Sequence, residues 1–219
     1  MFKADLHTHS DYSHDGGISL EQYQHILNAN ILDCIAITDH NRVDHALAIQ
    51  QILGTQVIVG EEILTTVGEI IGLYLTERIP PGLTAQETIQ QIKAQHGIVY
   101  IPHPFETVRK GLHPATLEEI QSQIDIIEVC NGRAFLQNKS AQTVVWARLN
   151  HLCGAASSDA HGLHGLGRTY TALSEQPTHD TLLTLLQNGI PITARPTIRS
   201  LLYPKYHRMR KKRAGKQPR

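Results

Sequence analysis

Short apolar runs recur along the chain, and each is followed by a stretch with helical spacing of apolar positions. The runs are Phe2–Leu6, Cys34–Ile37, Val57–Val59, Ile70–Leu75, Ile98–Ile101, Ile124–Val129 and Ala155–Ala156. Helical patterns fall at Leu20–Ala29, Val43–Leu53, Ala85–Gln95, Leu117–Ile124 and Ala141–Leu149, with a late one at Asp180–Gln187. Ser19 with Gln22, Thr84 with Glu87, and Thr116 with Glu119 have the spacing of a capping box. Gly97 and Gly189 sit where helices should stop. Strands of four to six residues alternating with helices predict βα units and a parallel sheet. Continuous rather than alternating apolar strands favour burial on both faces, hence an α/β, TIM-like (β/α)7 barrel, closed or nearly so. An open doubly wound sheet is the alternative. It would want a Gly-rich turn after the first strand, where Leu6-His7-Thr8-His9-Ser10 stands instead.

Composition changes the picture in two places. There are 14 histidines against three phenylalanines and one tryptophan. The net charge of zero hides a split, because nine of the 20 Lys/Arg and none of the 20 Asp/Glu fall in Arg199–Arg219. The sequence therefore divides into an acidic, His-rich domain, 1–198, and a basic tail, 199–219, expected to be extended or disordered. An acidic body has the wrong sign for phosphate unless bound cations reverse it. The tail is read as a solvated end or as docked on the acidic body of a neighbouring subunit, in preference to a nucleic-acid arm. No apolar run reaches the ~18 residues of a membrane helix, and no secretory pattern opens the chain. Cys34, Cys130 and Cys153 lie far apart, which argues against a disulfide scaffold and for the cytoplasm.

The polar residues cluster at the carboxyl ends of the apolar runs. These are His7-Thr8-His9 with Asp15 beyond, Thr38-Asp39-His40, Gly60-Glu61-Glu62, Pro102-His103-Pro104, Glu128 to Asn131, and Ser158-Asp159-Ala160-His161; Glu69 opens the fourth run. Residues i and i+2 of a strand share a face, so His7 and His9 can serve one ion or two neighbours. In a parallel barrel all these ends meet at one rim. Imidazole and carboxylate suit Zn²⁺, Mn²⁺ or Fe²⁺, and the donors outnumber what one ion uses, so two or three ions are expected. Arg109, Asn131, Arg133 and Arg168 lie on loops after later strands as candidates for holding a substrate phosphate. His164 is a candidate proton donor to the leaving group. Asp39 reads either as support for a ligand or as a helix cap, Glu128 as interior or supporting, and Cys130 as a buried apolar residue.

His7-x-His9, Asp15-Gly16, Thr38-Asp39-His40, Gly60-x-Glu62, His103-Pro104 and Ser158-Asp159-Ala160-His161 together resemble the PHP (polymerase and histidinol phosphatase) family over about residues 1–190. The resemblance implies a distorted seven-stranded barrel whose di- or trinuclear centre hydrolyses phosphate esters with a hydroxide activated by the metal. The ligands it implies are His7, His9, Asp15, His40, Glu62, His103, Asp159 and His161, with Asp159 also counted as catalytic. Many members carry His-x-x-Gly on the fourth strand; Glu69-Ile70-Ile71-Gly72 stands here, so Glu69 is a further candidate ligand or supports a bound water. The substrates implied are small phosphomonoesters, nucleotides or short nucleic-acid ends. A metal-dependent amidohydrolase is the alternative enzyme, and a non-catalytic metal-stabilised module with a basic interaction tail is the alternative without chemistry.

Overall fold

The computed structural model describes residues 1–135 and 137–215. The strands are β1 (Phe2–Thr8), β2 (Cys34–Ile37), β3 (Val57–Leu64), β4 (Glu69–Leu73), β5 (Ile98–Ile101), β6 (Ile126–Asn131), β7 (Cys153–Ser157), β8 (Tyr170–Leu173) and β9 (Ile190–Ile192). The helices are α1 (Leu20–Asn28), α2 (Asp44–Leu53), α3 (Ala85–Ala94), α4 (Pro114–Ile120), α5 (Ser140–Leu149), α6 (Leu182–Gln187) and α7 (Ile198–Arg213).

The strands form one sheet in the order β7-β6-β5-β4-β3-β2-β1-β8-β9. The pairs β1–β2, β2–β3, β5–β6 and β6–β7 are parallel, while β4 runs antiparallel to both β3 and β5. The sheet nearly closes on itself. Thr8 bridges Ala160 in parallel, and the His9 amide donates to the Ala160 carbonyl at 2.8 Å. Strand β8, antiparallel to β1, sits beside the gap, and Thr171 Oγ1 exchanges hydrogen bonds with the Ala156 backbone. The nearly closed α/β barrel is thus present, with one strand reversed and with β8 and β9 added to the expected runs.

Apolar side chains fill both faces. Ile35, Ile37, Val59, Ile63, Ile70, Val99, Ile101 and Ile127 pack under the helices. Leu6, Ala36, Ile58, Ile71, Tyr100 and Ala155 fill the interior and its closed end. Continuous apolar strands follow from this double burial.

The caps behave unevenly. Ser19–Gln22 and Thr84–Glu87 form complete capping boxes. Thr116–Glu119 does not, because Pro114 takes the first turn, where its missing N–H costs nothing, and His113 becomes the cap. Helix α3 closes in a Schellman turn, with the Gly97 amide on the Ile92 carbonyl and the His96 amide on that of Lys93. The left-handed residue there is His96 (φ 58°), not the expected Gly97.

The largest departure is the tail. Over the described residues it is neither extended nor disordered. Thr197 caps α7 by accepting from the Ser200 amide at 3.1 Å, and Pro204 and His207 are buried against the body. Among the described residues no helix is long and apolar enough to cross a membrane.

Candidate metal centre

The carboxyl end of β1 sets the centre. Register shifts between Asp5 and Thr8, an irregularity that re-aims side chains next to sites. His7 and His9 turn to one point, their Nε2 atoms 3.1 Å apart. Glu62, from β3, lies between four imidazoles. Its Oε2 is 3.3 Å from His7 Nε2, 3.2 Å from His9 Nε2 and 3.3 Å from His40 Nδ1, and its Oε1 is 3.1 Å from His103 Nε2. Asp159 Oδ1, beyond β7, is 3.7 Å from His7 Nε2 and 3.5 Å from His9 Nε2. All of these residues except His40 are buried, and His40 is mostly so.

These spacings fit an ion. Donors at about 2.0–2.2 Å from a tetrahedral or octahedral centre lie roughly 3–3.5 Å from each other. Orientation also fits. His7 Nδ1 faces Glu128 Oε1 at 3.1 Å, which leaves Nε2 directed at the cluster. His161 Nδ1 lies 2.9 Å from the Asp159 carbonyl, and its Nε2 points to Asp15 Oδ1 at 3.3 Å. Glu128 is itself anchored. It accepts from the Tyr100 hydroxyl at 2.9 Å, from the His103 amide at 2.7 Å and from Asn131 Nδ2 at 2.8 Å. Asp159 (φ 51°) and His103 (φ 30°) both hold left-handed backbone, as strained residues at functional sites often do.

Further out lies a second group: Asp15 with His14 and His40, and Glu69 beside His40. His40 Nε2 is 3.7 Å from Asp15 Oδ1, and His14 Nε2 is 3.6 Å from Asp15 Oδ2. Glu69 stands 3.7 Å from His40 Nδ1 and 3.9 Å from His103 Nε2. Donor atoms of His7-Glu62-His103, His7-His9-Asp159, His9-His40-His161, His14-Asp15-His40 and His40-Glu62-Glu69 lie close enough in each trio to share an ion. All nine sequence candidates therefore meet at one rim.

Electrostatics point the same way. Burial would raise Glu62, yet His7, His40 and His103 hold it well below its ordinary value. Burial opposes a proton on His9, yet Asp159 and Glu62 push it up to about 9, so the pair is a seat for positive charge. Burial and then the nearby Glu62 drive Glu69 up to about 9, the signature of carboxylates crowded where a cation belongs. Burial pushes His40 down to about 3 and His161 down to about 4, towards the neutral form that ligates metal.

A cleft of about 260 Å³ opens over the cluster, lined by the outer ligand candidates and by Arg109, Lys110, Arg133 and Arg208. Arg109 Nη1 donates to Asp159 Oδ2 at 2.9 Å and to Asn131, while its Nε and Nη2 hold Glu106. Arg133 Nη1 reaches both Asp159 oxygens at 3.2 Å. Asn131 turns inward to Glu128 and Asp159, orienting them.

Two sequence candidates lie elsewhere. His164 is exposed on the short turn Leu163–Gly165, its ring 6.0 Å from that of Tyr203, and is not on the cleft wall. Arg168 is exposed and donates to the Arg195 carbonyl at 3.1 Å. The geometry corrects both expectations: beyond His161 the chain turns His164 towards Tyr203 of α7, and Arg168 is drawn to the Arg195 carbonyl, so neither lines the cleft. Glu61, on the opposite face of β3 from Glu62, points away from the cluster and accepts from the Ile79 amide at 2.8 Å. The Asp39 side chain neither touches a candidate ligand nor caps a helix; it takes the Ser10 amide and hydroxyl at 2.7 and 2.5 Å and so fixes the chain after His9, while its backbone carbonyl accepts from the Glu62 amide at 3.2 Å. The sequence reading missed His14, Lys110 and Arg208 of the cleft wall and the buried Glu106. Adjacency to Asp15 was a usable signal for His14; nothing local singles out Arg208 from its basic run.

The PHP domain model matches residues 5–157, and a PHP-associated model matches residues 137–190. The chain belongs to the PHP family. The uncharacterized protein MJ1587 of Methanocaldococcus jannaschii is 38% identical over 143 residues, 59% of this chain and 82% of that one. Among solved structures, a two-domain protein from Bacteroides vulgatus containing a predicted PHP-like metal-dependent phosphoesterase superposes with a TM-score of 0.71 at 17% identity, over 94% of this chain and 69% of that one. An amidohydrolase from Chromobacterium violaceum with bound sulfate superposes with a TM-score of 0.61 at 15% identity, over 92% of this chain and 96% of that one. At such identities the PHP fold is what these structures share with the chain.

Proposed function

We propose that this cleft hydrolyses phosphate esters, with two or three divalent ions (Mn²⁺, Zn²⁺ or Fe²⁺) held by His7, His9, Asp15, His40, Glu62, Glu69, His103, Asp159 and His161. One observation carries the reading: His7 Nε2, His9 Nε2 and Glu62 Oε2 stand within 3.1–3.3 Å of one another, buried, with Asp159 beside them. When bound, such ions lower the pKa of a water towards ~7 and withdraw charge from phosphoryl oxygens.

The protein's own groups do the rest. Glu128, through His7 Nδ1 and the His103 amide, fixes two imidazoles before substrate arrives. Arg109 and Arg133 hold Asp159 in place from the cleft wall. Lys110 and Arg208 stand at the mouth; Lys110 Nζ lies 4.0 Å from Glu69 Oε1, whereas Arg208 has no carboxylate partner among the described residues and is free to meet an anionic substrate. The cleft is open and suits small phosphomonoesters, nucleotides or short nucleic-acid ends. The free thiols of Cys34, Cys130 and Cys153 suit a reducing compartment such as the cytoplasm.

The test is phosphate release from p-nitrophenyl phosphate, nucleotides, sugar phosphates and histidinol phosphate with added Mn²⁺, beside a panel of amides and lactones. The reading expects phosphate release that chelator abolishes and that His9→Ala lacks. Turnover confined to amides or lactones would overturn it in favour of the amidohydrolase.

A further inference from the structure

Helix α7 lies beyond the residues that either family model covers, yet it touches the site at three points. Lys211 Nζ donates to the carbonyls of Asp11 (2.7 Å), Ser13 and Gly16 (3.0 Å). An ammonium has three donors, and here all three are spent on one loop, the segment that presents His14 and Asp15. The His207 ring lies on Gly17, where an added Cβ would sit 2.0 Å from His207 Cε1. The Tyr203 ring lies on Gly162, where an added Cβ would sit 2.6 Å from Tyr203 Cδ1. Gly162 directly follows His161, and Gly17 comes two residues after Asp15. The two rings stack on each other, 5.2 Å apart and inclined by 12°. One helix thus presses on the backbone beside two of the outer ligand candidates, whose side chains meet at 3.3 Å.

From this geometry we infer that α7 is a positioning strap for the outer part of the metal centre, with Lys211 as the residue that locks the Asp15 loop. The inference rests on the metal reading above and assigns a role to a helix outside the family-matched residues. Three carbonyl oxygens converging on one point repel each other unless a cation sits among them, so Lys211 supplies the charge that keeps the loop folded back. Ser10–Asp39 and Arg42–Tyr12 hold the first half of this loop. The Asp15 half depends on Lys211, on the amide–carbonyl pairing of Asp11 with Ile18, and on the packing of Gly17. The inner group of His7, His9, Glu62 and His103 makes no contact of this kind with α7, being fixed from strands and Glu128.

The experiment is a Mn²⁺ titration of the full chain, followed by calorimetry and by the electron paramagnetic resonance of free Mn²⁺, for the wild type, Lys211→Met, Lys211→Arg and Lys212→Met. Lys212 is exposed on the same helix and serves as the control. Support for a ligand typically contributes about 10- to 100-fold in metal affinity. Lys211→Met is expected to weaken one class of site by that factor, to leave the tighter class unchanged, and to keep the far-ultraviolet spectrum. Lys211→Arg should recover part of the loss. Two unchanged classes in Lys211→Met would overturn the strap, and so would equal weakening of both classes, which marks a general loss of fold. A wild-type chain that takes up none of Mn²⁺, Zn²⁺ and Fe²⁺ would defeat the metal reading itself, whereas wild-type binding matched by Lys211→Met defeats the strap alone.

Discussion

The inner and outer halves of the rim use the same side-chain chemistry but are built differently. His7, His9, Glu62 and His103 stand on or just beyond strand ends and are buried, with Glu128, Tyr100 and Asn131 fixing them from behind. Asp15, His14 and Glu69 stand on the cleft wall, Asp15 and His14 on a loop that borrows its order from α7. The inner half inherits its geometry from the sheet; the outer half depends on a contact some 200 residues away in sequence. The difference predicts a tight inner site and a weaker, exchangeable outer one.

The heaviest blow to this contrast falls at its centre. Glu62→Gln removes the carboxylate that four imidazoles share and should lower metal-dependent kcat/KM by about 10³-fold or more, the scale of losing a main electrostatic stabiliser. Activity within tenfold of wild type in a phosphate-release assay would show that the inner half is not the working half.

Chelation comes next. Ligands that bind only the folded state stabilise it by about 2.7 kcal/mol at 100 times Kd. For a domain of this size that is roughly 5–10 °C in Tm. Scanning calorimetry with and without chelator checks it, and an unchanged Tm contradicts a shared cation cluster.

Glu128→Gln keeps the shape but removes the charge behind His7 and His103. A loss of about 10- to 100-fold in affinity at the inner class sharpens the contrast, provided the outer class is untouched. Glu69→Gln, at the edge of the outer group, should cost about tenfold or less in kcat; in the metal-loaded enzyme, where cations would keep Glu69 ionised, KM for phosphate esters should fall as that charge leaves the wall.

The smallest effect concerns pH. His207 sits below its ordinary value because burial disfavours its charge; Lys211 and Arg210 on its own helix add to this, and Asp15 and Asp11 of the facing loop oppose it. A histidine depressed in the folded state contributes docking stability that is full above the unfolded value of 6.5 and is lost as pH falls from there towards the folded value. Protection factors of the α7 amides, exchange being corrected for its intrinsic pH dependence, should therefore fall by a few-fold as pH drops below 6.5. His207→Phe should flatten that dependence, since His207 Nε2 has no hydrogen-bond partner to lose.

The inner half was legible in the sequence because strand periodicity and burial fix where side chains point. His7 and His9, two apart after an apolar run, face one place in any strand. The outer half was half legible. Asp15 follows the motif, but its loop is shaped by Lys211, and no local pattern links the two residues. Pro196 and the charge run read as a boundary followed by an extended or disordered end, whereas Thr197 caps a helix that buries Ser200, Pro204 and His207. Reversal of β4 was hidden for a similar reason, since Ile70, Ile71 and Leu73 are buried whichever way the strand runs. Strands β8 and β9 are short, and Ile190 is exposed, so neither carried an apolar signature.

Elemental analysis of wild type and His9→Ala, each purified without chelator and assayed for phosphate release from the same preparation, tests the central claim most directly. The account predicts two to three divalent ions per wild-type chain, with ions and activity lost together in the variant. Full phosphate release from protein holding less than one ion per chain would contradict it.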